Sequence, residues 1–395
     1  MVSDVYLPRI NGVSSSIASF RAALPAHGVT VRLVVPRYGD EADEAGIVRV
    51  AGRSVPGDPE DRLVRWRAMH AAVAREAASC DLVHTHTPFV AHYAAAAAAR
   101  AGRLPLVSTY HTLFEEYLQH YVPLLPAAPL RAFARRISRR QCDATDAVVV
   151  PSGAMHARLA DYGVRRPLHV LPTGIDVAAF ARGDGARFRA AHGIAAGAAT
   201  ALFVGRVAHE KNIGFLLDVA ARVAPRHPGF VLVIAGEGPA LAALRAKAAA
   251  QGLAEVVRFV GYLERRHALA DCYAAADAFV FASRTETQGL VLLEAMAAGV
   301  PVVALAAMGT ADILAPRRGA LVPPDSVPDF AQALASLLGD AALRRRLGSD
   351  ARRYSSEWCD TAMAARLAEL YRTLVRRGGD VWHGSAPRSS ATARR

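Results

Sequence analysis

With 395 residues, 52% of them hydrophobic and 21% charged, the chain can fill two folded cores and does not read as a disordered or low-complexity protein. A net charge of +12 with a pI near 10 favours anionic partners: phosphorylated small molecules, an anionic membrane surface or nucleic acid. The alanine stretch at 94–99 is stopped by Arg100, and no run of eighteen apolar residues occurs, which argues against a membrane-spanning helix.

Cys80, Cys142, Cys272 and Cys359 lie far apart, form no C-x-x-C and follow no secretory leader, so they read as reduced thiols in the cytosol. Basic residues are almost all arginine; lysine occurs only at Lys211 and Lys247, so a lysine inside a motif is informative.

The chain opens with Met1-Val2-Ser3, a strand much shorter than the usual five or so residues, which points to a truncated or misplaced start. A loop through Gly12 follows, then a helical pattern over 15–27 and a strand over 29–35. Strand, glycine loop, helix, strand is the opening of a doubly wound α/β domain. Gly12 is either a plain turn glycine or the point where backbone passes close to a ligand. A Pro/Gly/Asp stretch at 52–61 reads as a loop and 62–78 as a helix. The next strand carries His84 and His86; two ligands do not hold zinc, so these read as strand-end histidines.

A helix over 91–101 leads to the strand 105–108 and to Thr109-Tyr110-His111-Thr112. His111 falls just past the carboxyl end of a parallel strand, where open α/β sheets bind ligands; a structural histidine is the competing reading. Between 130 and 140, Leu130, Phe133, Ala134 and Ile137 recur at helical spacing, with Arg131, Arg135, Arg136, Arg139 and Arg140 filling the other side. Such a helix fits a membrane interface or a core-packed position with a solvated arginine face. Nucleic acid is disfavoured, because no stacking aromatics interleave the arginines and no nucleic-acid module is recognisable. The strand 146–150 and the segment 168–171 follow, and a hinge is expected at Pro172–Asp176.

A second strand–loop–helix series starts at 200–204, with Gly205-Arg206 and Glu210-Lys211 in its loop. Arg206 and Lys211 are close enough in sequence to converge on one anion, a planar fork and a mobile point charge suited to a diphosphate. Gly236-Glu237-Gly238 is a fragment of a dinucleotide loop lacking the third glycine. Then Ala278-Phe279-Val280-Phe281 reads as a buried strand and Leu290 onward as a helix ended by Gly299. Between them lie Glu286, Thr287, Gln288 and Gly289, and Glu294 sits about one turn into the helix. The unpaired N–H groups of the first turn, at Gln288 to Val291, form an anion site, and two carboxylates beside it suit hydroxyls. The competing reading is a pair of solvated helix-start glutamates. The last helix is expected over 361–376, and 378–395 as a flexible basic tail. Two β–α–β series imply two doubly wound domains, 1–171 and 172–360, facing a cleft.

Glu286 to Glu294 resembles the E-x7-E signature of retaining glycosyltransferases of family 4 with the GT-B fold. The Gly12 loop, Thr109-Tyr110-His111-Thr112, Gly205-Arg206 and Glu210-Lys211 stand in the same order, so the resemblance covers nearly the whole chain. The segments Thr109–Tyr117 and Thr285–Val291 look most like bacterial diacylglycerol α-glucosyltransferases and related lipid mannosyltransferases. Thr287-Gln288 replaces the Pro-Phe of many members, a departure shared by part of the lipid-modifying branch.

The resemblance implies a nucleotide-sugar donor, of UDP-glucose or GDP-mannose type, bound by the C-terminal domain without a cofactor or metal ion. Arg206 and Lys211 would stabilise the diphosphate, helped by the helix start at Thr287, Gln288, Gly289, Leu290 and Val291. Glu286 would hold sugar hydroxyls and Glu294 the ribose. His111 and the Gly12 loop would come from the N-terminal domain, which the helix 361–376 would rejoin. The reaction implied is transfer of glucose or mannose, with retention, to a glycerolipid at the cytosolic membrane face. A soluble or lipid-linked saccharide acceptor and a catalytically idle sugar-nucleotide binder are the alternatives.

Overall fold

The computed structural model describes residues 1–55, 58–111, 127–264 and 267–383. The chain divides into two compact units, one of residues 1–150, 158–171 and 364 onward, the other of 151–157 and 172–363. The expected division at 171 therefore omits one excursion, in which 151–157 pack with the second unit.

In the first unit the elements are α1 (Gly12–Ala23), β1 (Leu33–Arg37), β2 (Ile47–Val55), β3 (Asp58–Val64), α2 (Trp66–Ala77), β4 (Val83–Thr85), α3 (Val90–Gly102), β5 (Leu106–Thr109), α4 (Ala127–Asp143), β6 (Ala147–Val150) and β7 (Leu168–Val170). The helix α5 (Gly153–Asp161) precedes β7. Strands β4-β5-β6-β7 are parallel neighbours, and β1 pairs with β2. Met1–Ser3 join the two halves: Val2 bridges in parallel to both Val34 and Thr85, its N–H donating to His84 O at 2.8 Å and its carbonyl accepting from His86 N–H at 3.0 Å. The residues that looked too few for a strand thus occupy the middle of the sheet. Continuous apolar runs such as Ala147–Val150 are buried on both faces, as parallel strands under helices require.

Three expectations for this unit change. Residues 52–55 and 58–61 are not loop: they belong to β2 and β3, which pair antiparallel, Gly52 with Val64 and Arg53 with Leu63. Pro56 and Gly57, two of the residues that suggested a loop, lie outside the described residues. On α4 the buried positions are Ala134, Ser138 and Cys142, whereas Phe133 is 57% exposed. Small side chains let α4 lie close to the body of the unit, with Ser138 Oγ 2.9 Å from the Tyr110 hydroxyl, so the phenylalanine is turned out among the arginines. Third, the last helix is longer than expected and its final turns replace the start of the tail.

The second unit contains α6 (Val177–Phe180), α7 (Gly185–Ala191), β8 (Thr200–Val204), α8 (Ile213–Val223), β9 (Val231–Ala235), α9 (Leu241–Ala250), β10 (Val257–Gly261), α10 (Ala268–Ala274), β11 (Ala278–Phe281), α11 (Leu290–Ala297), β12 (Val302–Ala304), α12 (Gly309–Leu314), β13 (Ala320–Leu321), α13 (Val327–Gly339) and α14 (Ala341–Ser355). Its sheet has the order β10-β9-β8-β11-β12-β13, parallel throughout. The order reverses between β8 and β11, and at such a switch point the loops beyond the strand ends diverge and leave a crevice. The core beneath is aromatic: Phe203 stacks on Phe281, and Phe281 on Phe279, all fully buried. Phe281→Ala is expected to cost about 3–5 kcal/mol.

The closing helix, α15 (Asp360–His383), runs beyond the expected end at 376, so 378–383 are helical and not tail. Gly378 and Gly379 within it cost about 1 kcal/mol each relative to alanine, a penalty the sequence reading took as a stop. Residues 384–395 of the expected tail lie outside the described residues. In the first unit α15 is tied down by Arg366 to Val170 O (2.8 Å) and by the Tyr371 hydroxyl to His84 (2.5 Å).

Candidate active site

Beyond β8 the chain cannot carry side chains where it turns. Gly205, Gly236 and Gly238 have φ of 152°, 139° and 155°, and a Cβ on Gly236 would lie 1.9 Å from Gly205 O. One on Gly238 would lie 2.4 Å from Val207 O. The loops after β8 and β9 are therefore backbone against backbone, joined by Val207 N–H to Glu237 O (2.8 Å) and Ala240 N–H to Val207 O (3.0 Å). Arg206 projects from this pair with an exposed side chain. The next turn, His209–Lys211, ends at Asn212 in the left-handed region (φ 53°), where asparagine is tolerated. It is pinned to the end of β11 by Ser283 Oγ donating to Glu210 O (2.9 Å) and Asn212 Nδ2 donating to Ala282 O (3.1 Å).

That pinning brings Lys211 and Glu286 together, Nζ to Oε2 at 2.6 Å, each side chain 19% exposed. Residues 75 apart in sequence thus meet across the switch point. The loop carrying Glu286 is held at three successive residues: Glu286 O accepts from Gly309 N–H (2.8 Å), Thr287 O from Ser152 Oγ (2.8 Å), and the Gln288 side chain is clamped to Thr173. In that clamp Gln288 Oε1 accepts from Thr173 N–H (2.9 Å) while Nε2 donates to Thr173 O (2.8 Å). The Gln288 side chain is thus a buried brace between its loop and Thr173.

Gly289 caps α11 in the left-handed region (φ 97°) and offers no side-chain cap. The first N–H groups of the helix, at Leu290 and Val291, have no intrahelical carbonyl to bond, and the helix dipole adds positive potential there. Glu294 is 1% exposed and accepts from the Tyr273 hydroxyl at 2.8 Å, so one oxygen of this carboxylate is oriented by a fully buried phenol. The assembly offers a mobile cation, a planar cation, unpaired N–H groups and two carboxylates, a combination suited to a diphosphate flanked by hydroxyl-bearing rings.

The first unit holds its own cluster at the carboxyl end of the sheet. His84 Nδ1 meets the Tyr371 hydroxyl at 2.5 Å and its Nε2 the Thr109 hydroxyl at 2.7 Å. His86 Nδ1 lies 3.0 Å from Nε2 of the half-buried His111. Burial pushes His84 and His86 well below the usual histidine range and His111 down to about 3, so all three are neutral at pH 7. Nearby, burial raises the Asp4 carboxyl to about 6; it accepts from the Thr87 hydroxyl (2.7 Å) and from Ala91 N–H (3.0 Å) at the start of α3. Gly12, first residue of α1, needs no unusual backbone, but a Cβ there would meet nothing within 4 Å, so the space above it is open. Residues 112–126, including Thr112 of the histidine motif, lie outside the described residues.

On α4, Arg131, Arg135, Arg136, Arg139 and Arg140 are exposed and Ile137 is half-buried; Arg135 lies over the Tyr162 ring at 5.4 Å. Among the described residues no helix is long and apolar enough to cross a membrane, and no group of three His, Cys, Asp or Glu side chains could hold a metal ion. A cavity of about 630 Å3 in the second unit, lined by Phe180, Ile194, Arg189 and Arg352 among others, contains none of the motif residues. Both its arginines are already spent on backbone carbonyls, Arg189 on Ala198 O and Arg352 on Ala298 O, so it offers an anion little. Sequence reading missed Tyr273, Ser152, Thr173 and the pairing of His86 with His111, because each acts through a partner distant in sequence.

Residues 10–179 match the family model described as Glycosyltransferase Family 4, and residues 184–354 the one described as Glycosyl transferases group 1. The chain is 31% identical over 314 residues to an alpha-monoglucosyldiacylglycerol synthase of Streptococcus pneumoniae, covering 77% of this chain and 70% of that protein. It is 33% identical over 320 residues to a D-inositol 3-phosphate glycosyltransferase of Jonesia denitrificans, covering 76% and 74%. The Anabaena protein HepE, solved in complex with UDP and glucose, shares the fold with a TM-score of 0.75 at 18% identity over 94% of this chain and 99% of its own. Two Rossmann-like units, matched in turn by both halves of one enzyme family, place the chain among the family-4 glycosyltransferases of GT-B fold.

Proposed function

We propose that the protein is a retaining, metal-independent hexosyltransferase that moves glucose or mannose from a nucleotide sugar to a membrane glycerolipid at the cytosolic face. The observation that carries the donor half is the Lys211–Glu286 pair beside the uncapped start of α11. The diphosphate takes Lys211, the N–H groups of Leu290 and Val291, and the guanidinium of Arg206. Glu286, released from Lys211, accepts from sugar hydroxyls, and Glu294, oriented by Tyr273, accepts from the ribose. Similarity in fold to a protein that binds UDP and glucose supports this donor class. In the first unit, His111 is the residue assigned to hydrogen-bond substrate, with the backbone at Gly12 beside open space.

The acceptor oxygen bonds to the anomeric carbon as the bond from that carbon to the phosphate oxygen breaks. The acceptor proton passes to the departing phosphate on the same face, which retains configuration. Negative charge growing on the diphosphate meets cations and N–H dipoles already in place, which is how such sites lower barriers. With side chains carrying that charge, turnover is expected to persist in excess chelator; loss of activity in EDTA, restored by magnesium, would overturn metal independence.

Similarity to a diacylglycerol-modifying enzyme supports the acceptor, and so does α4, with exposed Phe133 between exposed arginines. An aromatic ring among guanidinium groups suits the headgroup region of an anionic bilayer. Reversing Arg136 and Arg140 to glutamate is expected to weaken binding to vesicles containing phosphatidylglycerol by at least about 2 kcal/mol, roughly thirty-fold. Unchanged sedimentation with vesicles would remove the membrane role.

The whole reading is tested by incubating the protein with a bacterial lipid extract and, in turn, UDP-glucose, UDP-galactose, UDP-N-acetylglucosamine and GDP-mannose, with Lys211→Ala as control. A hexosyl lipid seen by mass spectrometry with one donor, absent in the control, is the expected result. The 33% identity to an inositol-phosphate glycosyltransferase favours a second acceptor class, so inositol 3-phosphate is run in parallel. Product there and none on lipid would move the acceptor to a soluble phosphate ester; no turnover or donor hydrolysis anywhere would leave an idle binder.

A further inference from the structure

Three imidazoles lie side by side at the carboxyl end of the first unit's sheet, and only His111 belongs to a motif with a proposed role. His84, at the base, has both nitrogens engaged by Tyr371 and Thr109. His86 lies against it, ring centroids 4.1 Å apart, and is 2% exposed. On its other side His86 is nearly parallel to His111, at 5.3 Å and 23°, with Nδ1 and Nε2 at hydrogen-bonding distance, 3.0 Å. The Nε2 of His86 is buried with no hydrogen-bonding partner among the described residues.

A neutral imidazole carries one proton, so the bond between His86 and His111 has two possible directions. If His111 donated from Nε2, the proton of His86 would have to sit on its own Nε2, a buried N–H facing no acceptor; such orphaned donors are rare and costly. If His86 donates from Nδ1, its Nε2 is bare and no N–H is stranded. We propose that His86 is a positioning residue: its Nδ1–H donates to His111 Nε2 and holds His111 as the Nδ1–H tautomer, a hydrogen-bond donor towards substrate oxygen and not a base. Packing against His84, at 4.1 Å between ring centroids, fixes the ring plane of His86, and so the direction of the bond. The functional half rests on His111 contacting substrate, as proposed above.

The test is the imidazole nitrogen spectrum of the full chain labelled with 15N-histidine, with His111 assigned by its loss in His111→Ala. The expected result is His111 with Nδ1 protonated and Nε2 bare. His111 protonated on Nε2 in the unmodified protein overturns the proposal, and this reading needs no variant of His86 to fold. In His86→Phe, which keeps a ring on His84 but removes the donor, His111 is expected to become a tautomer mixture. There kcat should fall about tenfold while the donor KM changes less than about twofold, the signature of misaligned chemistry. His86→Asn, whose amide nitrogen stands near the lost Nδ1, should recover most of that loss. An unchanged tautomer in His86→Phe overturns the positioning role. Should the tautomer follow His86 while His111→Ala turns over at the full rate, the functional half is overturned and the assignment of His111 to substrate fails with it.

Discussion

Lys211→Ala is expected to lower kcat by about 10²–10³-fold, the range seen when one preorganised group facing developing charge is removed. Two effects add. The diphosphate loses its mobile cation, and Glu286, deprived of the ammonium 2.6 Å away, stays as an unpaired carboxylate in a half-buried site where an anion must bind. Glu286→Gln removes that repulsion, so in the double variant the loss from Lys211→Ala should be smaller than in the wild-type background, a coupling measurable by a double-mutant cycle on kcat/KM. Lys211→Arg should recover only part of the rate, because a planar fork does not replace a compact point charge. A Lys211→Ala enzyme within threefold of wild type would remove Lys211 from the reaction.

The second large effect is expected away from any charge. A Cβ at Gly309 would lie 2.0 Å from Thr287 O and 2.5 Å from Gln288 N, both backbone atoms that cannot swing aside. Gly309→Ala must therefore push the loop bearing Glu286 off the start of α12, breaking the 2.8 Å bond from Gly309 N–H to Glu286 O. The donor KM should rise about tenfold or more, since roughly 1 Å of misplacement costs that much or more. The midpoint of thermal unfolding should fall by about 5–10 °C, as for a loss of two to three kcal/mol in a domain of this size. Gly197→Ala, whose Cβ would meet nothing within 4 Å, is the control and should leave the midpoint unchanged. A Gly309→Ala midpoint and KM equal to wild type would mean that the loop is not held there.

The sequence made the second unit's strands and the site's charged residues legible, because both are local: an apolar run such as Phe279–Phe281 announces a buried strand, and Lys211 stood out in a chain whose cations are arginines. What it concealed depends on partners far along the chain. The brace that the Gln288 side chain makes with Thr173, 115 residues earlier, leaves no mark on the residues around either one. The face of α4 could not be read from spacing, since a stripe containing Leu130, Phe133 and Ile137 outweighs Ala134, Ser138 and Cys142 in hydrophobicity but not in how closely it lets a helix pack. Met1–Ser3 read as a strand with a truncated or misplaced start, and its place at the middle of the sheet follows from pairing on both sides, which no local pattern records.

The interlocked turns after β8 and β9 also bear on how this enzyme could be recombined with its relatives. Gly205 with Gly236, and Val207 with Gly238, touch through main-chain atoms at distances no β-carbon would survive. A chimera with its crossover between 205 and 240 would combine one turn from each parent, and any small offset between the parental turns would land on that contact with no side chain to absorb it. Crossovers before 200 or after 240 inherit the two turns as one block. In a shuffled library, active members should therefore be depleted of junctions inside that window, even where both parents carry the same glycines.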